Sequence, residues 1–173
     1  LEELAQAGAG AFGSVTHVQL PDGRRAVLKT MEARDAASEA ETTDAWALAA
    51  MDSPFVPALL GHWRDATHKY ALMESCGTDL HSMLAAGRLS TDDATVRLLA
   101  WSVASALDCA HAAGLAHNDL KPANVCVRQT GADPAPRATL VDWGCPSPLG
   151  LDEAWRGTDG YRAPENVHSG RAC

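Results

Sequence analysis

The sequence predicts an α+β chain with two unequal lobes, a β-rich first part holding one helix and a helical second part. Three observations predict it. Short apolar and β-branched runs separated by turn residues fill most of residues 1–73, which is the spacing of strands. After Gly77 the apolar residues instead recur at helical intervals, most clearly over residues 91–113. Between these regimes, Tyr70-Ala71-Leu72-Met73 runs as one short apolar strand into a polar, glycine-bearing turn.

Taken in order, a glycine-rich stretch at 8–13 leads into a strand at 15–20. Pro21-Asp22-Gly23 turns the chain, and a second strand at 26–29 completes a β-hairpin. An alanine-rich helix is expected over 36–51 with Leu48 and Met51 on one face, ended by Pro54 because the residue before proline avoids the helical region. Two strands, at 59–60 and 70–73, flank a polar turn at 64–69. A short helix is expected near 79–86 and a long one over 91–113. Ser90 and Asp93 would cap the long helix in the manner of a capping box, and Gly114 would stop it. Leu99, Val103, Ala106, Leu107 and Ala110 make its buried stripe. Residues 125–127 and 139–141 read as a small β pair, with 129–137 a surface loop because Gly131, Pro134 and Pro136 fall there.

The chain has 173 residues, 46% of them hydrophobic and 21% charged, an ordinary balance for a folded domain. A net charge of −8 without clustered Lys or Arg argues against nucleic acid or an anionic membrane as the main partner. No apolar run approaches the roughly 18 residues of a membrane span. Cysteines at 76, 109, 126, 145 and 173 show no metal-type spacing and are odd in number, which favours free thiols in an intracellular, cytoplasmic or nuclear setting.

The chemistry concentrates in His117-Asn118-Asp119-Leu120-Lys121-Pro122-Ala123-Asn124, which sets a carboxylate, a lysine and an amide at the offsets phosphoryl transfer to a hydroxyl needs. Upstream, Gly8-Ala9-Gly10-Ala11-Phe12-Gly13-Ser14-Val15 fits G-x-G-x-x-G-x-V, whose missing side chains let backbone amides close over phosphates. Its glycines lead into a strand, unlike a dinucleotide-binding turn. Ala26-Val27-Leu28-Lys29 follows. Asp142-Trp143-Gly144 stands 18 residues after Asn124, and Gly157-Thr158-Asp159-Gly160-Tyr161-Arg162-Ala163-Pro164-Glu165 closes the series.

With these five motifs in this order, the chain resembles the eukaryotic protein kinases of the serine/threonine class. The resemblance runs from Gly8 to Glu165 and implies a single, partial bilobal domain: residues 1–73 as the small lobe, 74–79 as the hinge, and 80–173 as the first part of the large lobe, its later helices absent. It implies ATP and Mg2+ as cofactors and a protein hydroxyl as substrate. Asp119 would accept the attacking hydroxyl's proton, Lys121 would neutralise the moving phosphoryl group, and Asn124 and Asp142 would hold magnesium. Lys29 would reach the nucleotide phosphates beneath the glycine-rich segment. Ala26 would sit over the adenine, with Cys126 beneath it and Met73 as gatekeeper. Backbone groups of Glu74 and Cys76 would bond the base, and Asp79 the ribose. Thr158 and Lys121 point to serine/threonine specificity.

The family pairs Lys29 with a glutamate. Here register gives Asp44, with Glu41 on the same helical face and also within reach. The arginine of the usual H-R-D is Asn118, so activation is expected not to depend on a phosphate in the activation segment, and Ser147 is expected to be dispensable. A chain ending just past Glu165 is expected to be a fragment with its long helix partly uncovered. Two alternatives are a small-molecule phosphotransferase of the aminoglycoside or choline type, and a pseudokinase scaffold.

Overall fold

The computed structural model describes residues 1–10, 13–33, 43–130, 133–144, 147–148, 157–162 and 164, and for 5–10, 43–44, 129–130, 133–135 and 148 the main chain. Ala11, Phe12, Glu41, Cys145, Ala163 and Glu165 lie outside the described residues.

The first part is a five-stranded antiparallel sheet. Strands β1 (Glu2–Gly10), β2 (Gly13–Gln19), β3 (Arg25–Glu32), β4 (Leu59–Arg64) and β5 (His68–Glu74) lie in the order β1-β2-β3-β5-β4, so β3 is central. The expected hairpin is β2–β3, in unbroken register from Ser14 opposite Thr30 to Gln19 opposite Arg25. Gly13 permits it. At φ +107° it presses on β3, where an added Cβ would meet the Thr30 carbonyl oxygen. Helix α1 (Thr43–Ala49) packs Ala47 and Leu48 inward, and Met51 closes its end. The first half of the helix expected at 36–51 lies outside the described residues.

The second part begins with the two-residue strand β6 (Thr78–Asp79) and helix α2 (Leu80–Ala85), followed by helix α3 (Asp93–Ala112). Asp92, rather than Ser90 with Asp93, caps α3: its carboxylate accepts from the Thr95 amide at 2.9 Å, and Ser90 instead donates its hydroxyl to Asp92. Gly114, at φ +76°, follows the helix as expected. Leu99, Ala106 and Ala110 are buried along the expected stripe, with Val103 and Leu107 packed against them. Ser102 joins them because its hydroxyl is satisfied by the Leu98 carbonyl at 2.9 Å. Val96 and Trp101 of α3 are exposed, the latter edge-on to Phe55 at 5.0 Å.

After α3 come β7 (Leu115–Ala116), a 3-10 turn at Pro122–Asn124, β8 (Val125–Thr130), β9 (Asp133–Leu140) and β10 (Ser147–Pro148). The surface loop expected at 129–137 is instead a continuation of the β8–β9 hairpin, paired to Thr130 opposite Asp133. The two prolines are tolerated because β9 is the edge of the β6-β8-β9 sheet, where its outer side has no ladder to break. One apolar cluster joins both parts, running from Ala47, Leu48, Val56 and Met73 through Met83 and Leu99 to Val127, Leu140 and Trp143. The two parts are therefore joined by a shared core.

Candidate active site

The central strand β3 carries Lys29. The lysine is buried, and its Nζ meets Asp142 Oδ1 at 2.7 Å. Side chains alternate across a strand, so Val27 shares the face of Lys29 while Ala26, three residues away, points to the other. This corrects the expectation for Ala26. Val15 and Ala71 flank Lys29 directly, and Met73 lies opposite Val27, so the apolar wall beside the lysine is Val15, Val27 and Met73. Ser14 is opposite Thr30 on the alternate face, leaving only its backbone for the cleft. Gly8, Ala9 and Gly10 form the end of β1, opposite Val15, Ser14 and Gly13. Asp44 stands in the first turn of α1, with its side chain outside the described residues.

The loop that carries Asp119 is held by its histidine. The Asp119 amide donates to His117 Nδ1 at 3.2 Å, so the proton sits on Nε2, which donates to the Val141 carbonyl at 3.0 Å. The ring also packs edge-on against Trp143 at 4.6 Å. His117 thus ties the loop carrying Asp119 to the segment carrying Asp142. Asn118 and Asp142 both adopt left-handed backbone conformations, φ 65° and 63°, which asparagine and aspartate tolerate best among non-glycine residues. Such strain gathers where a site fixes its groups against local preference.

Asp119 is the centre of a closed polar network. Its Oδ1 accepts the Thr158 hydroxyl at 2.7 Å, and its Oδ2 accepts Lys121 Nζ at 2.7 Å and Asn124 Nδ2 at 3.1 Å. Lys121 Nζ also donates to Thr158 Oγ1 at 2.7 Å. Burial pushes the Asp119 carboxyl up, but the bonds from Lys121 and Thr158, the Lys121 charge and the Asn124 amide outweigh it and hold the group below the usual carboxylate range. Asp119 therefore stays ionised and aimed.

Asn124 spends its amide nitrogen on Asp119, donating also to the Asp119 carbonyl at 2.8 Å, which leaves Oδ1 for another partner. The Val141 amide donates to the Asn124 carbonyl at 2.8 Å, so Asp142 follows immediately beside it. An amide oxygen, and a carboxylate with one oxygen on Lys29, are hard oxygen donors of the kind that suit magnesium and phosphate together. The residues fit the cation.

Between β5 and β6, Gly77 has φ +105° and lies so close to β8 that an added Cβ would meet the Val127 carbonyl oxygen. The Glu74 amide donates to the Ala58 carbonyl at 2.9 Å, leaving the Glu74 carbonyl facing the Cys76 thiol at 3.4 Å. Arg128 straps this segment to β8, bonding Glu74 Oε1 at 3.0 Å and the Ser75 carbonyl. No motif marks Arg128. Asp79 caps α2, accepting the Ser82 amide at 2.8 Å, and pairs in register with Cys126. Burial pushes its carboxyl up, and the Ser82 bonds hold it lower.

Comparison with known proteins gives the same reading. The family model described as "Protein kinase domain" matches residues 1–172. The chain is 29% identical over 171 residues to the serine/threonine-protein kinase WARTS homolog of Caenorhabditis elegans, covering 95% of this chain and 18% of that protein. It is 34% identical over 126 residues to the serine/threonine-protein kinase CBK1 of Saccharomyces cerevisiae, covering 69% and 16%. It is 28% identical over 178 residues to the cGMP-dependent protein kinase, isozyme 1, of Drosophila melanogaster, covering 96% and 22%. The chain thus spans about a fifth of the length of these relatives. Because the family match takes in every segment that builds the Asp119 network and the Lys29–Asp142 pair, this chain belongs to the protein kinase domain family.

Proposed function

We propose that this protein transfers the γ-phosphoryl group of Mg-ATP to a serine or threonine hydroxyl of a protein substrate. The observation that carries the reading is the Asp119, Lys121, Thr158 and Asn124 network, set beside the Lys29–Asp142 pair. In this reading Val15, Val27, Met73 and Cys126 enclose the base, the hinge carbonyl at Glu74 and the amide at Cys76 bond it, and Asp79 meets the ribose. Gly8–Gly10 and Gly13 bring backbone amides over the phosphates, and Lys29 holds them from below. Magnesium bound by Asn124 Oδ1 and Asp142 would offset charge on the phosphate oxygens. Asp119 aligns the incoming hydroxyl and takes its proton late, since its own proton affinity is low. Lys121 lies within reach of both that hydroxyl and the group being transferred.

The tautomer of His117 and the bonds of Thr158 serve orientation, which dominates catalysis where little covalent chemistry falls to the protein. Residues 1–73, 74–79 and 80–173 act as small lobe, hinge and part of the large lobe. We further infer an intracellular setting and no role for nucleic acid or membrane, supported by free thiols at Cys76, Cys109 and Cys126 and by the net charge of −8. Incubation with labelled Mg-ATP and a panel of proteins, beside Asp119→Asn, tests the activity. Labelled Ser or Thr is expected only with the unmodified protein. Absence of label from a folded, nucleotide-binding protein would overturn the proposal.

A further inference from the structure

Asn118 occupies the position where the resemblance leads one to expect an arginine, and the structure shows what it does there. Its Nδ2 donates to Ser147 Oγ at 2.8 Å and makes a longer bond to the Ala116 carbonyl at 3.4 Å. Ser147 is only 3% exposed and sits in β10, opposite Ala116 of β7. The strand pair therefore delivers the hydroxyl to the amide. The far end of the same segment returns to the same residue. Gly157, at φ +101°, passes so close over Asn118 that an added Cβ would lie 2.5 Å from the Asn118 carbonyl oxygen. The next residue is Thr158, which bonds Asp119 and Lys121.

We infer that Asn118 and Ser147 are positioning residues, a neutral amide–hydroxyl clasp that seats both ends of the activation segment on the catalytic loop. The inference rests on the kinase reading for its catalytic meaning, but its geometry stands apart from it. The Asn118 side chain holds the outgoing strand and its main chain lies close against the returning Gly157, so Asn118 sets where Thr158 stands relative to Asp119. This reverses the expectation that Ser147 is dispensable. A buried serine that accepts a hydrogen bond from an amide is a fixed part of the site, with its position set by a bond that needs no prior modification.

The test compares the unmodified protein with Ser147→Ala, Asn118→Gly and the double variant. Glycine suits the left-handed backbone at 118, so it removes the amide without adding strain. The first readout is hydrogen exchange at the Tyr161 amide, which donates to the Thr158 carbonyl at 3.0 Å. Exchange there should quicken in both single variants, and unchanged exchange in either would overturn the inference whether or not phosphate is transferred. The second readout is steady-state transfer to a peptide. Each single variant should lose about tenfold or more in kcat with KM for ATP nearly unchanged, and the double should be no worse than the poorer single. Losses that multiply in the double variant would show that the two residues do not act through one bond. Absence of transfer by the unmodified protein would defeat the kinase reading alone, with the exchange result still deciding the clasp.

Discussion

Lys29 and Asp142, 113 residues apart in sequence, meet at 2.7 Å between Nζ and Oδ1. The pair is asymmetric. The lysine side chain is 5% exposed and the aspartate 36%, so the ammonium end of the pair is shielded while the carboxylate keeps contact with water. Asp142→Asn, which the left-handed backbone accepts, should therefore destabilise the protein by about 1–3 kcal/mol. Lys29→Met, which fills the same apolar path and frees a hydrated carboxylate, should cost less than about 1 kcal/mol. Denaturant unfolding of both variants decides it, and equal or greater destabilisation by Lys29→Met would sink the idea. Both should lose transfer by at least about a hundredfold.

The Asp119 carboxyl is held below its ordinary range despite burial, and this fixes the direction of a pH effect. A lowered folded-state value adds stability that is present above the unfolded value and is lost as pH falls through the folded one. Measured between pH 7 and 3, the stability gap between the unmodified protein and Asp119→Asn should be constant down to the ordinary carboxylate value and then narrow. A gap that widened with acid would contradict the network. Protonation of Asp119 should likewise leave transfer unaffected down to about pH 5.

Strand alternation separates two neighbours that the sequence motif ran together. Val27 lies on the Lys29 face and opposite Met73, whereas Ala26 is fully buried on the other face opposite Glu74 and Val18. Val27→Phe should raise the KM for ATP about tenfold or more by filling space where the base would rest, with stability changed by under about 2 kcal/mol. Ala26→Val should instead lower stability and spare KM in the molecules that stay folded. Nucleotide titration alongside thermal melting separates the two, and a KM effect confined to Ala26→Val would restore the original assignment.

How much was legible in advance follows the range of the interaction. The hairpin holding Lys29, the loop holding Asp119 and the glycine after α3 are short-range patterns, so spacing alone located them. Asp92 capped α3 in place of Ser90 because four consecutive polar residues, 90–93, offer several starts, and only geometry selects the one that reaches Thr95. The β8–β9 extension was hidden because proline signals a loop unless one knows that the strand is an edge. Arg128 carries no motif, and the motif holding Asn118 says nothing of Ser147; the pairs Arg128–Ser75 and Asn118–Ser147 are separated by 53 and 29 residues and joined only by the fold. The five motifs located Lys29, Asp119, Asn124 and Asp142 but not the bonds between them.

Gly77 and Gly87 both have positive φ, 105° and 62°, but only the first is crowded. A Cβ at Gly77 would press on the β8 backbone, whereas at Gly87 it would meet nothing within 4 Å. Gly87→Ala should cost about 1–2 kcal/mol for left-handed strain alone. Gly77→Ala should cost more and should also weaken nucleotide binding, because the hinge must lift from β8 to make room. Equal stability losses with unchanged nucleotide affinity would show that the hinge does not rely on that contact.

Cys76 lies within residues 74–79 and Cys126 on the adjoining β8, and both are shielded from the same cause in different degrees. Burial pushes the Cys76 thiol up to about 12, with Cys126 and Glu74 adding to it, and pushes Cys126 up to about 11, with the Asp79 charge adding to it. At pH 8 the thiolate fraction is then roughly one in ten thousand at Cys76 and one in a thousand at Cys126, so both should be poor nucleophiles in the folded protein. Iodoacetamide labelling followed by mass spectrometry should find both cysteines modified at least about a hundredfold more slowly than in the urea-unfolded chain. Saturating Mg-ATP should slow Cys126 further if the base lies over it. Labelling of folded Cys76 at the unfolded rate would mean that the hinge opens readily to water, which its contacts with Arg128, Ala58 and β8 oppose.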